Sequence, residues 1–387
     1  MLKSFKKTPL AWKQLVKNKA RLTIALAGIA FADILVFLQM GFESSLYDSA
    51  MKPHRSLEAD LVLLNPQSQA LFSMQSFSRA RLHQALAHEG VESVSPVYLS
   101  TGQWRNPETR IERSILVMGI DPAMAAFHLP EVNQHQDRLK AFNQVLFDQA
   151  GRPEYGAIAA LFNANGTAAT EMNGKAVQVA GLFTLGASFA ADGNVITSDS
   201  TFLQLFPERS SDRIDIGLIQ LEPDANIDQV RVSLAASLPK DVRILTIAEF
   251  AEAERNYWAN STGIGFIFGF GVLMGFIVGL VIVYQILYAD VSDHLPEYAT
   301  LKAMGYSDRY LLTALFQEAV ILAVLGFIPG LLLSTGLYHL TYVATALPIQ
   351  MTVDRAANVF TLTLAMSFGS GAIAMRKLQS ADPAEVF

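Results

Sequence analysis

The sequence predicts an α-helical membrane domain of four transmembrane helices, with a large α+β extracytoplasmic domain between the first and second helices. Three observations lead to this fold class. Four apolar segments each contain the roughly 20 residues that cross a bilayer core of about 30 Å. A stretch of roughly 220 residues with ordinary soluble composition separates the first segment from the second. The other three segments follow one another closely, which gives a one-plus-three order.

This pattern divides the chain into nine consecutive parts. They are a cytoplasmic basic amphipathic helix over 1–21, transmembrane helix 1 over 22–42, a periplasmic domain over 43–262, transmembrane helix 2 over 263–289, a cytoplasmic loop over 290–310, transmembrane helix 3 over 311–340, a periplasmic loop over 341–356, transmembrane helix 4 over 357–375 and a cytoplasmic tail over 376–387. For the first part, a simple basic flank that sets topology is an equal alternative.

Lysine and arginine determine the predicted orientation, because loops rich in these residues stay on the cytoplasmic side of a membrane. Seven basic residues and no acidic residue precede position 22, whereas Arg355 is the only basic residue in the 341–356 loop. We therefore expect both termini and the 290–310 loop in the cytoplasm of a multi-pass inner-membrane protein. The first apolar segment is too long for the core of a cleaved signal peptide, which favours an uncleaved anchor.

The large outer domain is acidic, and the whole sequence lacks cysteine. Residues 43–260 contain 17 Lys or Arg and 26 Asp or Glu, which argues against nucleic acid as a partner. The absence of cysteine excludes thiolate catalysis, Cys-ligated zinc and iron–sulfur clusters. The sequence contains no G-x-x-x-x-G-K-[ST], H-E-x-x-H or G-x-S-x-G motif. Nothing therefore argues for an enzyme, a metal site or a bound cofactor.

Two similar runs of strand, helix and strand frame the outer domain. The predicted strands cover residues 59–64, 91–98, 114–120, 214–221 and 242–246, and the predicted helices cover residues 77–89 and 227–238. Between them lies a β-rich insertion over about 121–210, where Asn173-Gly174 and Asp192-Gly193 are hairpin signals. The domain is thus predicted to be a split α+β fold. A last helix over 249–260 is expected to lead directly into the second membrane segment.

The second membrane segment carries a row of glycines at intervals of four residues, Gly271, Gly275 and Gly279. This spacing places them on one helix face, where small residues let another helix approach closely in lipid. Because glycine is common in membrane helices, chance is the alternative explanation. We expect a close helix contact at this face, and our hypothesis is that two copies of the chain pack through segments one and two.

Two ionisable residues, Asp33 and Glu318, lie inside apolar segments. Such groups are costly in a bilayer and usually face protein or water. One interpretation is the polar lining of a conduit or a proton relay. The other, which we favour, is a hydrogen bond to a neighbouring helix, with Gln39 or Gln317 as a helper.

The 290–310 loop contains apolar residues at intervals of three, with charged residues between them and a glycine placed to end a helix. The residues of this pattern are Leu295, Glu297, Tyr298, Leu301, Lys302, Met304 and Gly305. They predict a short amphipathic helix on the cytoplasmic side that a partner could contact. An ordinary solvated connection is the alternative.

Part of this loop, Glu297-Tyr-Ala-Thr-Leu-Lys-Ala-Met-Gly305, resembles the E-x-x-x-L-[RK]-A-x-G signature of FtsX/MacB-type ABC transporter permeases. In that family the signature follows the second membrane helix. The helix order and the split outer domain also match the family, and Asp382-Pro-Ala-Glu-Val386 looks like its cytoplasmic end. More narrowly, the sequence is similar to cyanobacterial DevC permeases over residues 28–33, 38–42, 192–199 and 202–206.

The resemblance implies a permease subunit that works as a homodimer and has no ATP-binding site of its own. The implied partners are a separate ABC ATPase, which would contact the 290–310 loop, a periplasmic membrane-fusion adaptor and a TolC-like outer-membrane channel. ATP-driven closure would move the outer domain by mechanotransmission, and the DevC likeness implies export of a glycolipid or another envelope component. Two alternatives stay open: an FtsX-like mechanical switch or lipoprotein-releasing permease, and a membrane-anchored binding or sensor protein.

Overall fold

The computed structural model describes residues 19–189, 191–304, 307–345 and 347–379. The chain divides into two compact units. The membrane unit comprises Met1–Ser45, Ile264–Thr345 and Ile349–Phe387, and the outer unit comprises Leu46–Gly263 with Ala346–Pro348. Most of the amphipathic helix expected over 1–21, and the end of the expected tail, lie outside the described residues.

The described elements are numbered here in chain order. The α-helices are α1 (Lys19–Arg55), α2 (Ala80–Leu86), α3 (Pro130–His135), α4 (Ile158–Asn165), α5 (Asp199–Leu205), α6 (Ile227–Ser237), α7 (Ile247–Asn256), α8 (Ile264–Asp293), α9 (Leu295–Ala303), α10 (Asp308–Thr345) and α11 (Val353–Gln379). The strands are β1 (Leu61–Leu64), β2 (Phe77–Ser78), β3 (Val91–Arg105), β4 (Glu112–Ile120), β5 (Gln144–Asp148), β6 (Ala168–Met172), β7 (Lys175–Phe183), β8 (Asn194–Ser198), β9 (Arg213–Ile214), β10 (Ile216–Leu221) and β11 (Arg243–Thr246).

Four of the described helices, α1, α8, α10 and α11, are long and apolar enough to cross a membrane. A helix satisfies its own backbone hydrogen bonds, which a segment in lipid requires. Helix α1 is 37 residues long and ends at Arg55 rather than at the predicted residue 42. The apolar run marks only the part suited to lipid, and the helix continues beyond it. Its last turn contains the basic residues Lys52, His54 and Arg55, and positive charge at this position stabilises the negative end of the helix dipole.

The outer unit is built on one nine-stranded sheet with the order β11-β1-β10-β3-β4-β8-β5-β7-β6. An additional pairing of β6 with β3 joins Met172 to Trp104. Six consecutive strands of the sheet, β3-β4-β8-β5-β7-β6, therefore close into a ring. Strand β3 is 15 residues long. It pairs with β10 through its first half and with β4 and β6 through its second half. It therefore belongs both to the open part of the sheet and to the ring.

Large aromatic side chains fill the ring. Trp104 and Tyr155 are fully buried, and the ring centroids of Trp104 and Phe147 lie 5.0 Å apart. The Trp104 indole N–H donates a hydrogen bond of 3.2 Å to the Tyr155 carbonyl, so the buried polar atom is satisfied. In the open part of the sheet, Leu82 of α2 and Leu234 of α6 belong to the same apolar core.

The predicted insertion over 121–210 does not fold as a separate module. Its strands β5 to β8 lie in the same sheet as β3 and β4. The Asn173-Gly174 turn does form the predicted hairpin between β6 and β7, with positive φ at both residues. The hairpin predicted at Asp192-Gly193 is wrong, because β8 pairs with β4 and β5. Turn residues indicate that the chain reverses direction locally, but long-range packing determines which strands pair.

Two predicted helices differ in extent from the observed ones. The helix predicted over 77–89 begins only at Ala80, because Phe77–Ser78 pairs with β9. The helix predicted over 249–260 does not lead directly into the membrane segment. After α7 the chain forms a π-helical turn over Tyr257–Ser261, and Thr262 is extended with φ −114° and ψ 165°. Gly263 follows, and glycine is a poor helix former.

Candidate coupling site in the membrane unit

The glycine row of α8 packs against α1 of the same chain. A Cβ atom at Gly275 would lie 2.9 Å from Val36 Cγ2, closer than real Cβ contacts allow. The α1 residues nearest to Gly279, Gly275 and Gly271 are, respectively, Ala32, Val36 and Gln39, and Met366 of α11 also contacts Gly279. Because these three recur at helical spacing, one face of α1 covers the whole row. The close helix contact at these glycines therefore lies within one chain.

A second pair of glycines, on α10, meets another part of α1. A Cβ at Gly326 would lie 2.6 Å from Ile29 Cγ2, and a Cβ at Gly330 would lie 2.9 Å from Asp33 Cβ. Helix α1 is thus in contact with glycines of both α8 and α10. Gly326 and Gly330 were not predicted as a packing face, although their spacing of four residues is the same signal.

Asp33 is fully buried in the membrane unit and bonds to a neighbouring helix. The Thr363 hydroxyl of α11 lies 2.6 Å from its Oδ1 atom and donates to it. The Oδ2 atom receives no hydrogen bond from any residue that the structure describes. The partner is Thr363 rather than Gln39, whose amide lies against Gly271. The signal in the sequence is a threonine inside the last apolar segment, which no local pattern connects to Asp33.

Glu318 of α10 is also buried, and its carboxyl group faces that of Asp290 near the end of α8. Within the described part of the chain, no donor reaches Glu318 Oε1 or Asp290 Oδ2. Two carboxyl groups can share a hydrogen bond only when one of them carries a proton. The neighbour is again not the expected glutamine, since Asp290 takes the place that Gln317 was expected to hold.

Ion pairs join the end of α8 to the beginning of α1, and a histidine in the turn before α9 lies beside the carboxyl group of Asp290. Arg21 Nη1 lies 3.8 Å from Asp290 Oδ1 and 2.7 Å from Asp293 Oδ2. His294 Nδ1 lies 3.5 Å from Asp290 Oδ1. The backbone N–H of Tyr298 donates to the His294 carbonyl, so the turn is bonded into α9. Polar contacts therefore connect the first turn of α1, the end of α8, and α9.

The short helix expected in the 290–310 loop is α9. Tyr298 is only 2% exposed and belongs to an apolar cluster with Val291 and Leu315. Glu297 is exposed, and Met304 is 63% exposed, so the predicted apolar stripe does not face the protein along its whole length. Leu295 is half-buried. The side chains of Leu301 and Lys302, and the whole of Gly305, lie outside the described residues.

Arg355, in the first turn of α11, connects helices at the end of the membrane unit opposite α9. Its guanidinium donates to the Gln350 carbonyl and to the Ser44 hydroxyl, and it lies over the Tyr338 ring at 5.4 Å. The Tyr338 hydroxyl in turn donates to the Phe37 carbonyl of α1. The one basic residue of the 341–356 loop is thus a structural link between α1, α10 and α11.

In the outer unit, the last turns of α1 pack against α7. The ring centroids of His54 and Phe250 lie 4.3 Å apart, and His54 Nε2 lies 3.4 Å from Glu254 Oε2. A capping box begins α7, in which Thr246 and Glu249 each accept a hydrogen bond from the other's backbone N–H. The Thr246 N–H, and then the Arg231 guanidinium, hold the pKa of Glu249 below its ordinary value.

Two solved structures are similar to about half of this chain. One is the periplasmic region of MacB from Actinobacillus actinomycetemcomitans, with 16% identity over 51% of this chain and 93% of that chain and a TM-score of 0.37. The other is the extracellular domain of the noncanonic ABC-type transporter YknZ from Gram-positive bacteria, with 13% identity over 49% of this chain and 99% of that chain and a TM-score of 0.33. No curated protein matches the sequence.

A family model matches the carboxyl-terminal part of the chain. Residues 266–383 match the family described as FtsX-like permease C-terminal. The matched region contains α9 together with the three helices α8, α10 and α11 that are long enough to cross a membrane. The carboxyl-terminal part of the membrane unit is therefore similar to FtsX-like permeases, and this match supports an ABC-type permease subunit.

Proposed function

We propose that this chain is the membrane subunit of an ABC exporter that works by mechanotransmission with a separate ATPase. The family match over residues 266–383 supports the permease role. The observation that carries the proposal is the construction of α9. Tyr298 anchors this helix in the core of the membrane unit, while Glu297 and, directly after the helix, Met304 are exposed. A helix held on one side and open on the other can pass force from an ATPase into the helices that flank it.

Movement of α9 has a direct path to α1. His294, in the turn before α9, lies beside Asp290, and Arg21 pairs with both Asp290 and Asp293. From Arg21, α1 runs as one helix to Arg55, with residues up to Ser45 in the membrane unit and the rest in the outer unit. A displacement at the cytoplasmic end would therefore reach the outer unit through a continuous helix.

The wider assembly that we propose follows the family resemblance. It is a homodimer in the inner membrane, joined to an ABC ATPase, a periplasmic adaptor and a TolC-like channel, and it exports a glycolipid or another envelope component. Because α1 covers the glycine row at Gly271, Gly275 and Gly279, the contact between two copies needs a face other than this row. Both termini would lie in the cytoplasm.

Reversing the charge of Glu297 tests this proposal. The Glu297→Lys chain should insert into membranes normally, because Glu297 is exposed and makes no core contact. It should retain about tenfold less of the ATPase subunit that co-purifies with the wild-type chain, as expected when an interface charge is reversed. ATP hydrolysis by the reconstituted complex should fall in parallel.

Asp354→Lys is the matched control, since Asp354 is also exposed but lies in the first turn of α11, away from α9. This variant should retain the ATPase and its activity. Equal ATPase retention and hydrolysis by Glu297→Lys and wild type would remove α9 as the coupling site.

A further inference from the structure

Four aromatic side chains form a cluster on the outer unit, here called the aromatic ledge: Phe72, Phe189, Tyr257 and Trp258. The ring of Trp258 is central, with centroid distances of 5.5 Å to Phe72, 4.6 Å to Phe189 and 5.4 Å to Tyr257. Phe72 is 52% exposed and Phe189 is 45% exposed. Large aromatic rings are rarely presented together to water unless a surface covers them.

Buried carboxylates hold the ledge in place. Glu254 is 2% exposed and accepts hydrogen bonds of 2.8 Å from the Trp258 indole N–H and from the backbone N–H of Leu71. Asp148 is fully buried and accepts from the backbone N–H groups of Leu185 and Gly186, in the loop that precedes Phe189. These hydrogen bonds hold the backbone next to Phe72 and Phe189 in the folded outer unit. The exposure of the two rings is therefore a property of the fold.

Chain connectivity limits how far the ledge can lie from the bilayer. Trp258 precedes Ile264, the first residue of α8, by six residues. A chain of this length reaches at most about 22 Å, and the π-helical turn over Tyr257–Ser261 shortens it further. The headgroup region adds about 5–8 Å on each side of the hydrocarbon core. On α8 itself, Phe266 is 75% exposed, so the apolar surface that would face lipid begins in the first turn.

The chemistry of the ledge suits a lipid interface. Tryptophan and tyrosine concentrate at the headgroup level, where one part of the ring is apolar and another part is polar. We propose that the aromatic ledge docks on the outer-leaflet interface of the membrane that the chain spans, and so holds the outer unit against lipid. This inference rests on the proposed role as a membrane subunit.

The absence of cysteine from the sequence allows a clean test. Phe72→Cys is labelled with an environment-sensitive fluorophore in the full chain, which is placed in lipid nanodiscs that contain lipids with a nitroxide near the headgroup. The label at position 72 should emit at shorter wavelength than in water, and the nitroxide lipid should quench it at least about twofold. Phe142→Cys is the control, since Phe142 is 71% exposed and lies at the opposite end of β5 from Asp148. Its label should show neither effect.

A third label separates this inference from the proposed function. Ile267 is 62% exposed on α8, and a label at Ile267→Cys should be quenched if α8 spans the membrane. Quenching at 267 together with a water-like signal at 72 would overturn lipid docking and leave the membrane subunit intact. A water-like signal at both positions would overturn both. If the signal at 72 changes only when the adaptor protein is added, the ledge binds protein and lipid docking is wrong.

Discussion

In the outer unit the Asp148 carboxylate accepts four hydrogen bonds, whereas in the membrane unit Asp33 accepts one from Thr363 and Glu318 faces another carboxyl group. The Asp148 donors are the backbone N–H groups of Ala150, Leu185 and Gly186 and the side-chain amide of Asn194. Among the described residues, Asp33, Asp290 and Glu318 each keep one buried oxygen that receives no hydrogen bond. All four carboxylates are buried, but only that of Asp148 is surrounded by donors.

This difference shows at which buried carboxyl groups the hydrogen-bonding arrangement can change. A buried carboxylate that is surrounded by donors has one favourable arrangement, because leaving it exposes several unpaired N–H groups. A buried carboxyl group with an unfilled oxygen can take a proton or a new partner at much lower cost. The Glu318 carboxyl group faces that of Asp290, which contacts His294 in the turn before α9, where the proposed function requires movement. The Asp148 carboxylate instead fixes a loop.

The packing of the two units differs in the same sense. The outer unit buries large side chains such as Trp104, Tyr155 and Phe202 in a continuous core. The membrane unit brings α1 close to α8 and α10 through glycines. Burial of apolar surface from water stabilises the first arrangement, but lipid offers no such gain, so backbone proximity stabilises the second.

The largest effect is expected from filling the glycine contact. Gly275→Leu would place a side chain where Val36 already lies, and overpacking of this kind typically costs about 1–3 kcal/mol or separates the helices. We expect a lower melting temperature of the purified chain in detergent and loss of the complex with its ATPase. Gly269→Leu is the control on the same helix, because no atom lies within 4 Å of a Cβ there. Equal melting temperatures for the two variants would contradict the packing that is described.

An amide replacement at Asp148 should have the next largest effect. In Asp148→Asn, the new NH2 group replaces an oxygen that accepts two hydrogen bonds, so donors face donors in a buried site. The expected loss is about 1–2 kcal/mol of unfolding free energy, measured by urea denaturation of the outer unit in the full chain. Asp224→Asn, at an exposed turn position, should leave the urea midpoint unchanged. A tolerant Asp148→Asn would mean that these hydrogen bonds contribute little.

The same chemical change in the membrane unit should have the smallest effect. In Glu318→Gln, the NH2 group can donate to Asp290, whose Oδ2 atom lacks a donor in the described chain. We expect the melting temperature in detergent to correspond to a change below about 1 kcal/mol. Glu318→Leu, which offers Asp290 no donor, should be clearly less stable than Glu318→Gln. The reverse order would show that Asp290 needs no donor from position 318.

The sequence predicted the local features of this molecule better than its long-range ones. Four apolar runs indicated the long helices, and the local sequence also indicated strands at β1, β3, β4 and β10, because both signals lie within one segment. The closure of the ring by Met172 and Trp104 joins residues far apart in sequence, and no local pattern encodes it. The same holds for the site. Spacing predicted α9, but the neighbours Thr363 of Asp33 and Asp290 of Glu318 depend on helix contacts.

Strand β3 has a consequence for building chimeric proteins from this chain. The first half of β3 pairs with β10, and its second half pairs with β4 and β6. Dividing the sheet between two parent proteins therefore separates β3 from some of the strands with which it pairs. Exchange of residues 121–210 between relatives would graft four strands onto a foreign β3 and β4. The segment best suited to exchange is the whole outer unit, Leu46–Gly263. The junctions would lie within α1, before Leu46, and at the extended residue Thr262. Recombination at those two positions should give folded hybrids, whereas recombination within the sheet should not.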